Sequence, residues 1–347
     1  MSRYDLDHEA LAALVADEPS YRATQLYTGL YHELAEPGEL TTLPRALRER
    51  LSEANELAPG LELEREQLAD EGWTRKWLFR LADGAVVETV LMAYPRHTTV
   101  CVSSQAGCAM GCTFCATGDA GFGRHLSVGE IVEQVVRAAR AARRDGRRLD
   151  HVVYMGMGEP LANYDRVVAS LGRLTGDLGL SARHLTVSTV GVVPGIRRLA
   201  KEALPVNLAI SLHAARDTLR DELVPLNRRY PVAALVEAAE EYLAATHRRL
   251  SLEWALIDGV NDTDRDVAEL TGVARALRAH VNLIPLNPTE GGSARGYRGT
   301  PPFRVRIFRD ALLATGVNVT VRQTRGRDID AACGQLAGAH RTRTPAS

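Results

Sequence analysis

From Thr98 onward the sequence switches repeatedly between two periods, and that switch limits the fold more than any other feature. The short apolar runs TTVCVS, DHVVYMGM, HLTVSTVG, VNLAISLH, LSLEWALI, HVNLIPLN and NVTVRQT read as strands. Between them lie stretches with apolar residues at helical spacing: VGEIVEQVVRAARAARRD, YDRVVASLGRLTGD, VPGIRRLAKEA, VAALVEAAEEYLAA and DVAELTGVARALRA. FRVRIFRDALLATG precedes the last strand. Repeated strand-then-helix units predict an α/β fold with a parallel sheet and helical crossovers. About six such units fit either an open doubly wound sheet or a full or partial barrel, and spacing alone leaves that choice open.

Upstream the pattern differs. HEALAALVADE, YRATQLYTGLYHELA and LPRALRERLSEANELA read as short helices within residues 1–58. WLFRLADGAVVETVLM places two apolar runs around Asp83-Gly84, a hairpin signal. The expected organisation is a helical accessory segment at 1–58, a β-hairpin extension at 59–93, a core at 94–330, and a terminal loop and tail at 331–347. A chain of 347 residues can bury one large core with a small appendage.

No run approaches the ~18 apolar residues of a membrane helix, and the start MSRYDLDHEA lacks the apolar segment of a signal peptide. The expected location is the cytoplasm, with no membrane partner. Residues 1–72 carry a net charge of −10 and the remainder +9. A basic body suits a polyanionic partner, but forty of the forty-two basic residues are arginine, so composition alone accounts for it equally well. Arg143, Arg144, Arg147 and Arg148 read as the solvated end of a helix, where cations suit the dipole.

Several predicted strands end in small or polar residues: Gly156, Gly158 and Glu159; Ser188 and Thr189; Ser211, Leu212 and His213; Asn287. In parallel α/β folds, sites collect at the carboxyl ends of strands. Taken together these tails are the candidate site.

The stretch CVSSQAGCAMGCTFC holds four of the five cysteines, Cys101, Cys108, Cys112 and Cys115, and Cys333 stands far away. In a reducing compartment such crowding points to metal binding or catalysis rather than disulfides. Cys108, Cys112 and Cys115 form C-x3-C-x2-C. A structural zinc site would need a fourth ligand, for which His125 or Cys101 is available. A cubane iron–sulfur cluster usually takes four cysteines, so three would leave one iron open.

The motif, with Phe114 before its last cysteine, resembles the signature of the radical S-adenosylmethionine (SAM) superfamily. CVSSQAGCAMGCTFCATG, MGMGEPLANYDRV, STVGVVP, ISLHA, LIPLNP and RGRDIDAACGQLAG together resemble the RlmN/Cfr family of radical SAM RNA methyltransferases. YRATQLYTGLY and TLPRALRERL resemble that family's helical N-terminal part, so the likeness spans nearly the whole chain. It implies a partial (β/α)6 barrel and a 4Fe-4S cluster on Cys108, Cys112 and Cys115, whose open iron chelates SAM. It implies SAM contacts from Gly158, Glu159, Ser188, Ser211, Leu212, His213 and Asn287. Cys333 corresponds to the cysteine that is itself methylated, Cys101 to its catalytic partner, and Glu88 to a proton acceptor. The plainer alternative for Glu88 is an exposed position on a hairpin strand.

The implied chemistry uses two SAM molecules per turnover. The first methylates Cys333; the second gives a 5′-deoxyadenosyl radical that takes hydrogen from that methyl group. The carbon then adds to an adenine carbon too electron-poor for ordinary methyl transfer. Loss of a proton and attack by Cys101 release methylated RNA and leave a disulfide. The implied partners are ribosomal RNA, transfer RNA and a flavodoxin-type electron donor. The implied product is 2-methyladenosine; the alternatives are methylation at carbon 8, as in the resistance-type relatives, and a non-catalytic iron–sulfur RNA-binding protein. Thr324, Arg325, Gly326 and Arg327, just before Cys333, are candidates for phosphate contact.

Overall fold

The computed structural model describes residues 2–322 and 325–336. Thr324 and the tail 337–347, both named above, lie outside the described residues. Twelve strands are present among those described: β1 (Leu61–Ala69), β2 (Thr74–Leu81), β3 (Val86–Ala93), β4 (Thr98–Cys101), β5 (Gln105–Gly107), β6 (Phe122–His125), β7 (His151–Tyr154), β8 (Leu185–Thr189), β9 (Asn207–Ser211), β10 (Leu250–Leu256), β11 (His280–Pro285) and β12 (Val319–Val321). Ten form one sheet in the order β1-β2-β3-β4-β7-β8-β9-β10-β11-β12, while β5 and β6 make a separate ribbon.

All seven strands expected from the apolar runs are present, and from β4 to β12 each pairs in parallel with its successor. Helices Val128–Arg144, Tyr164–Gly176, Val193–Leu199, Val232–Thr246, Asp264–Ala276 and Pro302–Ala314 supply crossovers where the helical periods predicted them. Covered strands read as continuous apolar runs because both faces are buried. Leu208, Ala209 and Ile210 in β9, and Leu252 and Trp254 in β10, are almost wholly inaccessible. Helix starts are chemically marked as well. Ser127 with Glu130 and Thr263 with Asp266 form capping boxes, which satisfy amide groups that the first turn leaves free.

Among the described residues no pairing joins β12 back to β4, so the sheet curves without closing, as expected of a partial barrel. The predicted hairpin, β2 and β3, extends the sheet antiparallel from β4, and β1 adds a strand that the sequence reading did not place. The loop after β12 reaches across to this extension. Lys76 Nζ donates to the Asp330 carbonyl at 3.2 Å, and the Gly326 amide donates to the Asp70 carboxylate at 3.1 Å.

The N-terminal helices bury Leu11, Leu26, Leu30, Leu47 and Leu51 in a core continuous with that of the parallel strands. Their polar contacts concentrate on helix Val128–Arg144. Asp5 accepts from the Gly129 amide at 2.6 Å and from Ser127 Oγ at 3.0 Å, and Glu133 accepts from Ser2 Oγ at 2.7 Å and the Gly60 amide at 2.8 Å. Arg140 binds both Glu36 and Glu39. Much of the acidity of the front end is thus paired with arginine.

Candidate active site

The carboxyl ends of the parallel strands open onto a cavity. Gly156, Gly158, Glu159, Ser188, Thr189, Ser211, His213 and Asn287 line it, so eight of the nine strand-tail residues singled out in the sequence converge. Leu212 does not reach it; its side chain is in the core, and its carbonyl accepts from Arg220 Nε at 3.0 Å. Gly158 has φ of +99°, and a Cβ there would stand 2.5 Å from that of Gln105, so only glycine fits the turn. The Gln105 side-chain oxygen also takes the Glu159 amide at 2.8 Å, which locks the β7 tail to the cysteine-bearing loop.

Glu159 is buried, and burial pushes its carboxyl up to about 7 even though it accepts from the Leu161 and Val190 amides at 2.9 and 2.8 Å. Those bonds bridge the tails of β7 and β8. His213 stands in left-handed backbone at φ of +58°. Burial holds its imidazole down to about 3, so it is neutral, and Nδ1 accepts from the Ala255 amide at 2.9 Å. Its ring packs edge-on against Phe114 with centroids 4.6 Å apart.

Cys108, Cys112 and Cys115 occupy one wall of the same cavity. Gly107 begins their loop at φ of +78°, where a Cβ would stand 2.0 Å from the Gly121 carbonyl oxygen. The Cys108 amide donates to that oxygen at 2.8 Å, and Arg295 ties the loop's far side through the Thr113 carbonyl at 3.1 Å and Asp119 at 2.9 Å. Burial pushes the Cys108 thiol up to about 12 and Cys112 well above the usual thiol range, and nearby Cys115 raises both further. Binding a metal cluster there would displace thiol protons.

The donor set would suit an iron–sulfur cluster with a free coordination position. Three thiols border one cavity, and among the described residues no three His, Cys, Asp or Glu side chains converge on a single ion. A lone tetrahedral zinc would need its thiolates within about 4 Å of one another. The two candidates for a fourth ligand lie elsewhere. His125 Nδ1 meets the Gln105 amide group at 3.0 Å, and Cys101 faces a second cavity.

That second, smaller cavity is lined by Cys101, Val90, Met92, Tyr94, Arg325, Ala331 and Ala332. Met155, Ile284, Asn287, Arg322, Cys333 and Leu336 line both cavities, so Cys333 stands in their common wall. Cys333 is exposed, and desolvation by its dense surroundings pushes its thiol up. Burial pushes Cys101 up to about 12, with Cys333 adding to the effect, and Arg322 pulls both thiols down. All five cysteines are free thiols. The Cys333 loop is held by Asn287 Nδ2 on the Cys333 carbonyl at 3.2 Å, by the Ala116 amide on the Gly334 carbonyl at 2.8 Å, and by Thr117 Oγ1 on the Leu336 carbonyl at 2.9 Å.

A profile of the radical SAM superfamily matches residues 102–271. The chain is 54% identical to the "Probable dual-specificity RNA methyltransferase RlmN" of Frankia alni, over 95% of this chain and 81% of that protein. It is 53% identical to the protein of the same name from Salinispora tropica, over 96% and 92% of the two chains. The chain belongs to the RlmN family of radical SAM RNA methyltransferases. The crystal structure of a radical SAM methyltransferase from Sphaerobacter thermophilus, 48% identical, matches 97% of this chain with a TM-score of 0.92 and is itself covered to 99%.

Within this RlmN-family chain, Glu88 is not at an exposed hairpin position. It is 3% exposed and ion-paired with the equally buried Lys76 at 3.0 Å, and it is not among the residues lining either cavity. Three further residues of the site escaped the sequence reading. Buried Arg220 binds the carbonyls of Val190, Ser211 and Leu212 and so joins the β8 and β9 tails. Glu253 lines the large cavity from the middle of β10, and Arg322 follows β12. Each is a single charge in a helix, strand or loop, and no local pattern marks it.

Proposed function

We propose that this protein forms 2-methyladenosine in 23S ribosomal RNA and in transfer RNA, with Cys333 carrying the methyl group and Cys101 releasing the product. The observation that carries this reading is the place of Cys333 in the wall between the two cavities. One cavity holds the three thiols and the strand tails; the other holds Cys101. A thiol there can accept a methyl group on one side and deliver it on the other.

Cys108, Cys112 and Cys115 would hold a 4Fe-4S cluster, and Gly158, Glu159, Ser188, Ser211, His213 and Asn287 would seat SAM; Leu212 would contribute through its backbone. When bound, the cluster and SAM supply a methyl cation equivalent and a hydrogen-abstracting radical. This chain's residues do the rest. Arg322 favours the Cys333 thiolate that accepts the first methyl group. Tyr94, Val90 and Met92 offer an apolar and aromatic surface for a base on the Cys101 side. A base takes the proton from the adduct; the resemblance gives that role to Glu88, which Lys76 holds at 3.0 Å outside the residues lining either cavity. Cys101 then attacks the Cys333 sulfur, which frees the methylated base and leaves a disulfide. A flavodoxin-type donor resets it in the cytoplasm. No helix among the described residues is long and apolar enough to cross a membrane.

Reconstituted enzyme, SAM and a low-potential reductant are incubated with unmodified ribosomal and transfer RNA, and the digested nucleosides are separated by mass spectrometry. 2-Methyladenosine from both RNAs is the expected result. 8-Methyladenosine would move the reading to the resistance-type activity, and no methylated adenine with intact RNA binding would make the protein a binding module.

A further inference from the structure

Buried polar atoms almost always find partners, and the exceptions are informative. Among the described residues, two unpartnered acceptors belong to residues lining the strand-tail cavity: Asn287 Oδ1 and Glu253 Oε2. Asn287 already has a reading as a SAM contact; Glu253 has none. The register of β10 sets Glu253 opposite Ser211 on β9 and Asn282 on β11, so its side chain leaves the sheet on the face that carries Ser211.

The carboxylate is fixed by one oxygen and bare at the other. Oε1 accepts from Ser251 Oγ and from Asn282 Nδ2, each at 2.9 Å, while Oε2 has no partner among the described residues and the residue is 3% exposed. Arg322 is close enough to feel its charge but forms no ion pair with it among the described residues. A buried carboxylate with a bare oxygen is costly until a donor or a positive charge arrives. The cavity's other carboxylate, Glu159, already spends its oxygens on the Leu161 and Val190 amides. Glu253 therefore provides the free acidic oxygen.

We propose that Glu253 is a binding residue for SAM that reads the positive charge of its sulfonium. This rests on the radical SAM reading of the site. SAM offers hydroxyl groups, an ammonium and a sulfonium. Ser188 and Ser211, neutral and on the same wall, suit hydroxyl groups, and the ammonium is the group the open iron is expected to chelate. The sulfonium has no N–H or O–H, so charge alone can recognise it. Glu253 also lines the same cavity as Cys333, the thiol that must receive the methyl group, and lies near enough for their charges to interact. In that transfer the S–CH3 bond to Cys333 forms while the C–S bond of the sulfonium breaks and its electron pair stays on the departing sulfur. The product, S-adenosylhomocysteine, is a neutral thioether at that sulfur. Glu253 then holds the reactant and loses its grip on the product.

The test measures binding rather than turnover. Cluster-reconstituted protein carrying Cys333→Ala, which blocks methyl transfer, is compared with the same protein carrying E253Q as well, by equilibrium dialysis with radiolabelled SAM and S-adenosylhomocysteine. E253Q should raise the Kd for SAM about tenfold or more and that for S-adenosylhomocysteine less than about threefold. Equal weakening of both would overturn the charge reading, because a hydrogen bond to a shared hydroxyl would explain it. An unchanged Kd for SAM would also overturn it. If E253Q loses its cluster, Glu253→Asp keeps the charge and shortens the reach; it should bind SAM more weakly than Glu253 while still preferring it to S-adenosylhomocysteine. Loss of that preference would count against the proposal. No SAM binding when Glu253 is intact would instead remove the radical SAM reading beneath it.

Discussion

The strand tails and the seam beside β12 are built by different means. At the tails, each parallel strand delivers its last residues to one rim, so Ser188, Ser211 and Asn287 meet because the backbone repeats. At the seam nothing repeats. The sheet stops at β12, and the loop carrying Cys333 is held by scattered partners: Lys76 and Asp70 on the β1–β3 side, Ala116 and Thr117 from the cysteine loop, and Asn287 from the β11 tail. Regular backbone is robust to the loss of one side chain. A seam assembled from single contacts is not. Chemistry that needs a fixed pocket is thus expected at the tails, and chemistry that needs a sulfur to serve two cavities at the seam.

The largest expected effect separates the two regions outright. Cys108→Ala, Cys112→Ala or Cys115→Ala should each abolish iron and sulfide incorporation while leaving far-UV circular dichroism unchanged. Stoichiometric zinc and retained activity in freshly purified protein would sink the cluster assignment. Next in size is a contrast between the thiols of the seam. Cys333→Ala removes the methyl carrier, so neither methylated RNA nor a protein–RNA adduct should form. Cys101→Ala keeps the carrier but leaves the bridge unresolved, so crosslinked protein should accumulate as a nuclease-sensitive shift on a denaturing gel. Normal turnover by Cys101→Ala would end the two-thiol mechanism for this protein.

The same contrast decides what was legible in the sequence. The parallel strands and their tails were readable, because an apolar run followed by a helical period is a local signal with one geometric outcome. C-x3-C-x2-C was readable because, with Phe114, it resembles the radical SAM signature, and all three thiols do border one cavity. β1 was not. LELEREQLA alternates too weakly, with exposed Leu63 and Leu68 and with its polar residues facing solvent on an edge strand. The β5–β6 ribbon was hidden because its strands run three and four residues. Glu253 and Arg220 were silent for another reason. A single charge, in a strand for Glu253 and in the helix Asp217–Leu223 for Arg220, looks like an exposed position until its neighbours in space are known. Glu88 shows the same limit, since its burial depends on a lysine twelve residues upstream on the partner strand and on the loop beyond β12.

Lys76 tests the seam by its energetics. It is one of two lysines in a chain otherwise furnished with arginine, and its compact ammonium serves both the Glu88 carboxylate at 3.0 Å and the Asp330 carbonyl at 3.2 Å. Lys76→Met removes the ammonium 3.0 Å from a buried carboxylate and one of the anchors of the Cys333 loop. Stability to urea should fall by about 3–5 kcal/mol. Adding Glu88→Leu should recover much of that loss, although methyl transfer should stay impaired in both proteins. If Lys76→Met left stability unchanged, the seam would not depend on this pair.

The smallest effect is expected back at the tails, from the neutral imidazole of His213. Burial depresses its pKa to about 3, whereas an unfolded histidine titrates at the ordinary value of 6.5. Between those values the unfolded chain binds a proton that the folded one refuses. Stability therefore rises with pH, is fully present above 6.5, and is lost progressively as pH falls toward 3. His213→Asn tolerates the left-handed backbone and keeps a side-chain acceptor near the Ala255 amide. Other titrating groups are common to both proteins and cancel in the difference. Below about pH 6 the difference in unfolding free energy between the cluster-free proteins should therefore change by about 1.4 kcal/mol per pH unit, in favour of the variant at lower pH. Parallel stability profiles from pH 6.5 to 4.5 would mean that His213 takes up its proton in the folded protein and is not the sealed, neutral support for the strand tails that its burial implies.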